Sequence, residues 1–267
     1  MVSFKERSGQ SELMDAPDIP EKLLHKNLGE LDILNRYLGG HAISMEGIKR
    51  LMTDRQKVYH IVDLGCGSGD VLKYIARWAR KNGYQVKLTG VDKSPDAIQY
   101  LVKNSLEYTE ITGVVSDYRD YLSADSKIDI VHCSLFCHHL NNQELLELFR
   151  YLKTYTGAGF VINDLQRSPV AYYSVWFLTR LLNGSALSKH DGPVSVLRAF
   201  TRKELEKLLN EAELKEISIQ WRWAFRYLAV VKIGRETSPE RTTDPSPGQT
   251  TKECRPWGEE RIRESSV

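Results

Sequence analysis

The run Asp63-Leu64-Gly65-Cys66-Gly67-Ser68-Gly69-Asp70 sets three glycines at alternate positions between two carboxylates. Glycines so spaced let the main chain take torsions closed to other residues and let a ligand lie directly against it. Asp70 stands where a dinucleotide turn of the G-x-G-x-x-G type needs its third small residue. A carboxylate there, beside Asp63, repels a pyrophosphate, so the turn suits a ligand with positive charge. Asp92, in GVDKSP with Lys93 next to it, can accept hydrogen bonds from both hydroxyls of a ribose. Asp117, in VVSDYRDYL, can accept from a ring amino group while the backbone of Tyr118 serves a ring nitrogen. Each feature also has an ordinary alternative: a glycine turn joining strand to helix, a turn aspartate ahead of Pro95, a polar loop.

A second set of residues could move a proton. His138 and His139 close the segment HCSLFCHHL, and His190 with Asp191 lies in SKHDGP. An imidazole within reach of a bound hydroxyl can take its proton, and an adjacent carboxylate can orient the ring. We expect one of His138 and His139 to face the bound molecule and His190 to reach it from a covering segment; the alternative is that all three bond only loop carbonyls. Asp164 contacts that molecule or caps the next segment. The cluster His132, Cys133, Cys137, His138 and His139 resembles a metal set, but neighbouring strand residues point to opposite faces and Cys-x3-Cys is not a zinc spacing. No metal is expected, and Cys66 and Cys133 read as small core or loop residues.

The elements that position these groups follow from hydrophobic patterning. HIVDLG (60–65), VKLTGVD (86–92), GVVSD (113–117), DIVHCS (129–134) and GFVIND (159–164) are short apolar strands. Amphipathic stretches at 71–83, 95–106 and 142–155 alternate with them, which implies βαβ units and a parallel sheet covered on both faces. Strands at 213–221 and 225–233 are expected to pair antiparallel at one edge, with a capped helix starting at Thr201 and Glu204 before them. The fold class is therefore α/β: a doubly wound, mostly parallel seven-stranded sheet with an antiparallel C-terminal edge hairpin. Two helices precede it. One is capped at Asp18 and stopped by Gly39 and Gly40; the other spans 44–53. A third helix, 171–182, is apolar on more than one face, and 185–193 reads as a polar connection. That apolar helix suits core packing, a lipophilic pocket or peripheral membrane contact.

The ordered set IVDLGCGSGD, GVDKSP, VVSDYRDYL, DIVHCSLFCHHL and GFVINDLQ, over about 58–233, resembles the class I S-adenosylmethionine-dependent methyltransferases. ELMDAPDIP and SKHDGPVSVLRAFT are similar to a bacterial group acting on small molecules of polyketide or quinone type. The resemblance implies S-adenosyl-L-methionine as cofactor, whose ammonium and sulfonium charges tolerate Asp70. It implies that Asp63 serves the methionine end through water, that Gly65 and Gly67 lie against the cofactor, and that Asp92 binds ribose. Cys66, Gly69, Lys93, Asp117, Tyr118 and Ser134 complete the expected cofactor set. The expected reaction is methyl transfer to a small, hydroxylated, fairly apolar acceptor such as a phenol, quinol or polyketide. The alternatives are C- or N-methylation, or a cofactor-binding protein without catalysis.

Composition excludes other classes. The 267 residues carry 37 Lys and Arg against 35 Asp and Glu, a net charge of +2 that supplies no basic surface for nucleic acid. Trp221-Arg222-Trp223-Ala224-Phe225-Arg226-Tyr227 interleaves aromatics with arginine, but a strand would put the aromatics on one face and both arginines on the other. No apolar run is long enough for membrane insertion, the first residues lack a signal segment, and the four cysteines make no disulfide framework, so a cytoplasmic setting is expected. The divisions expected are a disordered 1–10, a helical lid 11–57, a catalytic domain 58–233 with a substrate-covering insertion 168–200, and a disordered, proline-rich tail 234–267.

Overall fold

A computed structural model describes residues 2–16, 19–123 and 127–234. Asp18 and all of the expected tail beyond Gly234 lie outside the described residues.

Seven strands form one sheet: β1 (Val58–Leu64), β2 (Gln85–Asp92), β3 (Ile111–Val115), β4 (Ile128–Ser134), β5 (Thr156–Leu165), β6 (Glu216–Arg222) and β7 (Arg226–Lys232). Their order is β3-β2-β1-β4-β5-β7-β6. The first five run parallel, and β7 pairs antiparallel with both β5 and β6. The doubly wound sheet and its antiparallel edge thus stand as the patterning implied. Chain order runs outward from β1 in one direction and from β4 in the other. A crevice therefore opens where β1 and β4 end, and the loops after both strands meet there.

Nine helices are described: α1 (Glu21–Tyr37), α2 (Gly40–Leu51), α3 (Asp70–Asn82), α4 (Pro95–Asn104), α5 (Tyr118–Ser123), α6 (Asn142–Tyr155), α7 (Pro169–Leu181), α8 (Ala186–Arg198) and α9 (Arg202–Glu211). In α3 the buried set Val71, Leu72, Ile75, Ala76 and Ala79 makes one stripe toward the sheet, and Gly83 at φ 71° ends the helix. Reciprocal caps, Asn141 with Glu144 and Thr201 with Glu204, start α6 and α9. No helix among the described residues is long and apolar enough to cross a membrane.

Four expectations change. Residues 2–10 are bound to the body instead of disordered. Arg7 donates to the carbonyls of Leu140 (2.7 Å), His138 (3.1 Å) and Arg198 (2.8 Å) and lies over the Phe200 ring, and Arg167 donates to Phe4 O. Directed hydrogen bonds hold a segment too polar to be held by burial. The second helix begins at Gly40, not Ser44. The 185–193 stretch is no loop but the first part of α8: Ser185 caps it by accepting from Ser188 N–H, and Pro193 sits inside. Its polar residues Ser185, Ser188 and Asp191 are buried and hydrogen-bonded inward, which is why the segment looked like a surface connection. Residues 221–227 are not one strand, since the chain turns between Arg222 and Arg226, and Phe225 has φ 56°. Arg226 and Tyr227 are buried while Trp221 and Trp223 are exposed, so there is no single aromatic face.

On α7, Tyr173, Phe177 and Leu181 stay exposed, as does Leu182 at its C-terminal cap, so this face is not core. Tyr172 and Trp176, also on α7, instead line a cavity against α8.

Candidate functional site

The glycine turn after β1 needs its glycines: Gly65, Gly67 and Gly69 have φ of 67°, 50° and 71°. A side chain at Gly65 would also run into the Phe136 ring. The N–H groups of Gly65 and Cys66 donate to Val91 O at 2.8 and 3.2 Å, tying the turn to the end of β2. There Asp92 accepts from Gly67 N–H (2.9 Å) through one oxygen and from Ser94 N–H (3.0 Å) through the other. A carboxylate has about four acceptor sites, so each oxygen keeps one for a ligand hydroxyl. Burial lifts the Asp92 carboxyl above its ordinary range against the pull of those two N–H groups. Burial, with Asp92 and Asp63 adding to it, holds the Cys66 thiol far above the usual range, so Cys66 is inert packing beside the turn.

Asp63 does not stand free. It lies in register with His132 on β4, so the two side chains share a face of the sheet. His132 Nδ1 donates to Asp63 at 2.7 Å, and its Nε2 meets the Ser44 hydroxyl at 2.8 Å. Asn163 Nδ2 donates to Ser44 Oγ and to Gly40 O, both at 2.9 Å. This buried chain fastens α2 to β1, β4 and β5. Arg226 joins it, donating to Asn163 Oδ1 at 3.4 Å and also to Asn35 Oδ1 at 2.7 Å, and burial, opposed by Asp164, pulls its guanidinium down to about 10.

At the neighbouring strand end Asp117 pairs with Lys93 at 2.9 Å and accepts from Arg119 N–H. Burial raises the Asp117 carboxyl, but Arg119 N–H and Lys93 outweigh it and leave it below the usual range. Tyr118 meets Phe136 edge to face at 5.5 Å. Phe136 thus bridges the glycine turn and Tyr118, and Ser134 ends β4 just before it. All ten residues expected around a cofactor lie on or beside the C-terminal ends of β1, β2, β3 and β4.

Past Phe136 the loop makes a short 3-10 turn, Cys137–His139, that carries both histidines. His138 Nδ1 donates to Asp164 Oδ1 at 2.7 Å, and its backbone N–H donates to the other oxygen at 3.1 Å. The Nε2 lies 3.5 Å from Glu12 Oε1. His139 repeats the pattern: Nδ1 is 3.2 Å from Asp15 and Nε2 is 3.9 Å from Glu12 Oε2. Burial alone would lower His138, but Asp164 and then Glu12 overcome it and raise the ring to about 9. His138 is therefore charged at neutral pH, with both nitrogens facing carboxylates, and is a poor proton acceptor. Glu12 and Asp15 are lowered despite burial by the facing histidines.

His190 Nδ1 donates to Asp191 at 2.7 Å, and Asp191 also accepts the N–H groups of Leu13 (2.7 Å) and Met14 (2.9 Å). Those two residues sit between Glu12 and Asp15, so the His190 pair and the His138–His139 pair are joined through the backbone of one turn. His190 also faces a cavity of about 380 Å³ with Tyr172, Trp176, Arg180 and Val194. With Nδ1 taken, Nε2 is the nitrogen open to a ligand there.

The structure brings the glycine turn, Asp92 and the histidine loop to one end of the sheet. It adds residues that sequence reasoning did not single out: Glu12, Asp15, Ser44, Asn163 and Arg198. A signal existed for the first two, since three-residue spacing on a 3-10 turn puts Glu12 and Asp15 on one side. None existed for Ser44.

Residues 61–159 match the family described as a methyltransferase domain. No curated protein matches the chain. Solved structures with the same fold include the plantazolicin methyltransferase BpumL in complex with S-adenosylhomocysteine, at 19% identity and TM-score 0.54 over 74% of this chain and 82% of that one. Human N-acetylserotonin methyltransferase in complex with S-adenosylmethionine aligns at 16% identity and TM-score 0.55, over 80% of this chain but 57% of the human one. A methyltransferase from Aquifex aeolicus aligns at 14% and 0.55 over 81% of this chain and all of its own. At these identities the likeness establishes the fold.

Proposed function

We propose that the chain, which matches a methyltransferase domain over residues 61–159 and has that fold, is a class I S-adenosylmethionine-dependent enzyme that methylates a hydroxyl of a small, fairly apolar acceptor of phenol, quinol or polyketide type. The observation that carries the cofactor half is the Asp92 carboxylate, held by two backbone N–H groups beside three positive-φ glycines with one acceptor site left on each oxygen. S-adenosylmethionine supplies a methyl group on a positively charged sulfur, so the chain's own task is positioning and proton removal. Asp92 takes the two ribose hydroxyls. Asp117 and the backbone of Tyr118 receive the adenine edge, with Lys93 alongside. Gly65, Cys66, Gly67 and Gly69 give the main-chain floor, Ser134 and Phe136 its wall, and Asp63 and Asp70 the negative charge that suits the amino-acid end.

For the acceptor half, the proton goes to His190 Nε2, with Asp191 orienting the ring and stabilising the imidazolium that forms. Tyr172, Trp176, Pro193, Val194 and Leu197 make the cavity beside His190 apolar enough for a ring or short chain. His138 and His139 hold the adjoining loop on Asp164, Glu12 and Asp15. Residues 11–57 act as a lid, because Leu28 of α1 lies against Gly67: a Cβ added there would be 3.2 Å from its Cδ2. O-methylation is favoured over C-methylation by this histidine–carboxylate pair.

Thermal unfolding of ligand-stripped protein with S-adenosylhomocysteine, and with NAD as control, tests the cofactor half. At about 100 times the dissociation constant a ligand adds roughly 2.7 kcal/mol, a rise of about 5–10 °C for a body of this size. A shift with S-adenosylhomocysteine alone is expected; no shift at saturation removes the assignment. Methyl transfer to a panel of phenols and to activated carbon acids then decides the acceptor atom.

A further inference from the structure

We propose that Glu12, His138 and His139 form a binding site for one divalent first-row transition ion of the Zn2+ or Fe2+ kind. One ring nitrogen of each histidine and one Glu12 carboxylate oxygen all lie within 4.8 Å of one another, and in both rings it is Nε2 that faces Glu12. Their separations, 3.5 Å from His138 and 3.9 Å from His139, are too long for hydrogen bonds. They are close to the roughly 3.3 Å between two ligands bound at 2.0–2.1 Å to one tetrahedral ion. Small inward shifts of three side chains, with the His138 Nε2 proton released to solvent as the ion replaces it, would close the shell.

Three further observations point the same way. Each imidazole is held from behind at Nδ1 by a carboxylate, Asp164 at 2.7 Å and Asp15 at 3.2 Å, the arrangement that fixes the tautomer and orients a metal-ligating histidine. The Glu12 side chain is 1% exposed, and its Oε1 is buried without a hydrogen-bond partner, an orphan that ordinary folding avoids. Arg198 does not satisfy it: its Nε stands 3.8 Å away, and its hydrogen bonds go to the carbonyls of His138, His139 and Gln10. Arg198 and Arg7 instead brace the loop that carries both histidines.

Two imidazoles and one carboxylate on one side of an ion suit a borderline metal and leave positions open, whereas Mg2+ prefers an all-oxygen shell. The histidines and cysteines of strand and loop lack a zinc spacing, so sequence alone points to no metal. The third ligand comes from the N-terminal segment, which local spacing cannot reveal. If the acceptor proposed above is a phenol or enol, its oxygen would take an open position, so that role rests on the O-methylation reading. Binding of the ion does not.

The test uses the full, untagged chain after chelator treatment and removal of the chelator, titrated with Co2+ as the probe and with Zn2+ in competition. One equivalent per chain is expected, with Co2+ giving visible d–d absorption that Zn2+ abolishes and Mg2+ does not. Glu12→Gln and His139→Gln should each weaken Co2+ binding by 100-fold or more, and Asp15→Asn by about 10-fold through the orientation of His139. Circular dichroism and the S-adenosylhomocysteine melt are recorded on every variant, and Asp15→Asn, at a partly exposed position, serves if a buried variant fails to fold. No stoichiometric Co2+ or Zn2+ on the wild-type chain overturns the site. So does binding that survives intact in folded Glu12→Gln. A chain that shifts with S-adenosylhomocysteine yet binds no ion loses the metal site and keeps methyl transfer, and the reverse result loses methyl transfer and keeps the site.

Discussion

The two ends of the site are built in opposite ways. At the glycine turn every important contact is short in sequence or runs between adjacent strands: Gly65 and Cys66 to Val91, Gly67 and Ser94 to Asp92. At the histidine loop almost every contact joins segments far apart along the chain. Glu12 and Asp15 meet His138 and His139, Arg7 and Arg198 grip the carbonyls of that loop, and Asp191 holds Leu13 and Met14. The first construction is backbone on backbone and depends on glycine torsions. The second is a network of buried charges that exists only once the N-terminal segment has docked. On the proposed function, a cofactor site common to many acceptors suits the rigid local design, and acceptor chemistry suits a place where long-range packing can be varied.

Substitutions that separate the two ends sharpen this contrast, and any that move both together break it. The largest effect is expected from His190→Gln. Loss of a general base lowers kcat by about 100- to 10,000-fold, while S-adenosylhomocysteine affinity, read by calorimetry, stays within about twofold. An equal loss of cofactor affinity would show that the ends are not independent.

Asp92→Ala should come next, with the opposite signature. Two hydrogen bonds to a charged acceptor, at roughly 1.5–3 kcal/mol each, predict at least a 100-fold weaker S-adenosylhomocysteine complex. Acceptor KM, measured at saturating cofactor, should not follow it.

Ser44→Ala touches neither ligand. It removes the hydroxyl between His132 and Asn163 and should destabilise the fold by about 1–3 kcal/mol, lowering the melting midpoint by several degrees with little change in kcat. A large kcat loss in folded protein would place the Asp63–His132–Ser44 chain in the chemistry and not in the frame.

Trp176→Ala should raise acceptor KM by about 10-fold through loss of roughly 1–2 kcal/mol of apolar contact, with cofactor binding unchanged. The smallest effect is one of protection. S-adenosylhomocysteine should slow proteolysis within residues 19–40 several-fold if α1 closes over the glycine turn. An unchanged cleavage rate would leave α1 as fixed packing.

The geometry of the glycine turn and Asp92 was legible residue by residue because it is local. Positive φ demands glycine at 65, 67 and 69, and a strand of apolar residues ending in aspartate puts Asp92 beside that turn. The parallel strands also followed from alternation of apolar runs with amphipathic stretches, whereas their order in the sheet came from the structure. The histidine loop and α8 were legible only in fragments. His138, His139 and His190 stood out by type, but SALSKHDGP passed for a connection because its polar groups turn inward, and residues 2–10 passed for a loose end because their anchors are hydrogen bonds and not apolar side chains.

By itself, then, the sequence determined the parallel sheet, its antiparallel edge, the helix cap at Thr201, and the place of Asp92 at a strand end beside the glycine turn, each set by neighbours within a few residues or by the period of hydrophobicity. Only the tertiary structure decided that Glu12 faces His138 and His139, that Ser44 closes a chain from Asp63 to Asn163, and that Asp191 is a strut under the N-terminal turn. The physical reason is burial of charge. A buried carboxylate or imidazole must find a partner, and which partner it finds depends on how distant segments pack, which no local pattern encodes.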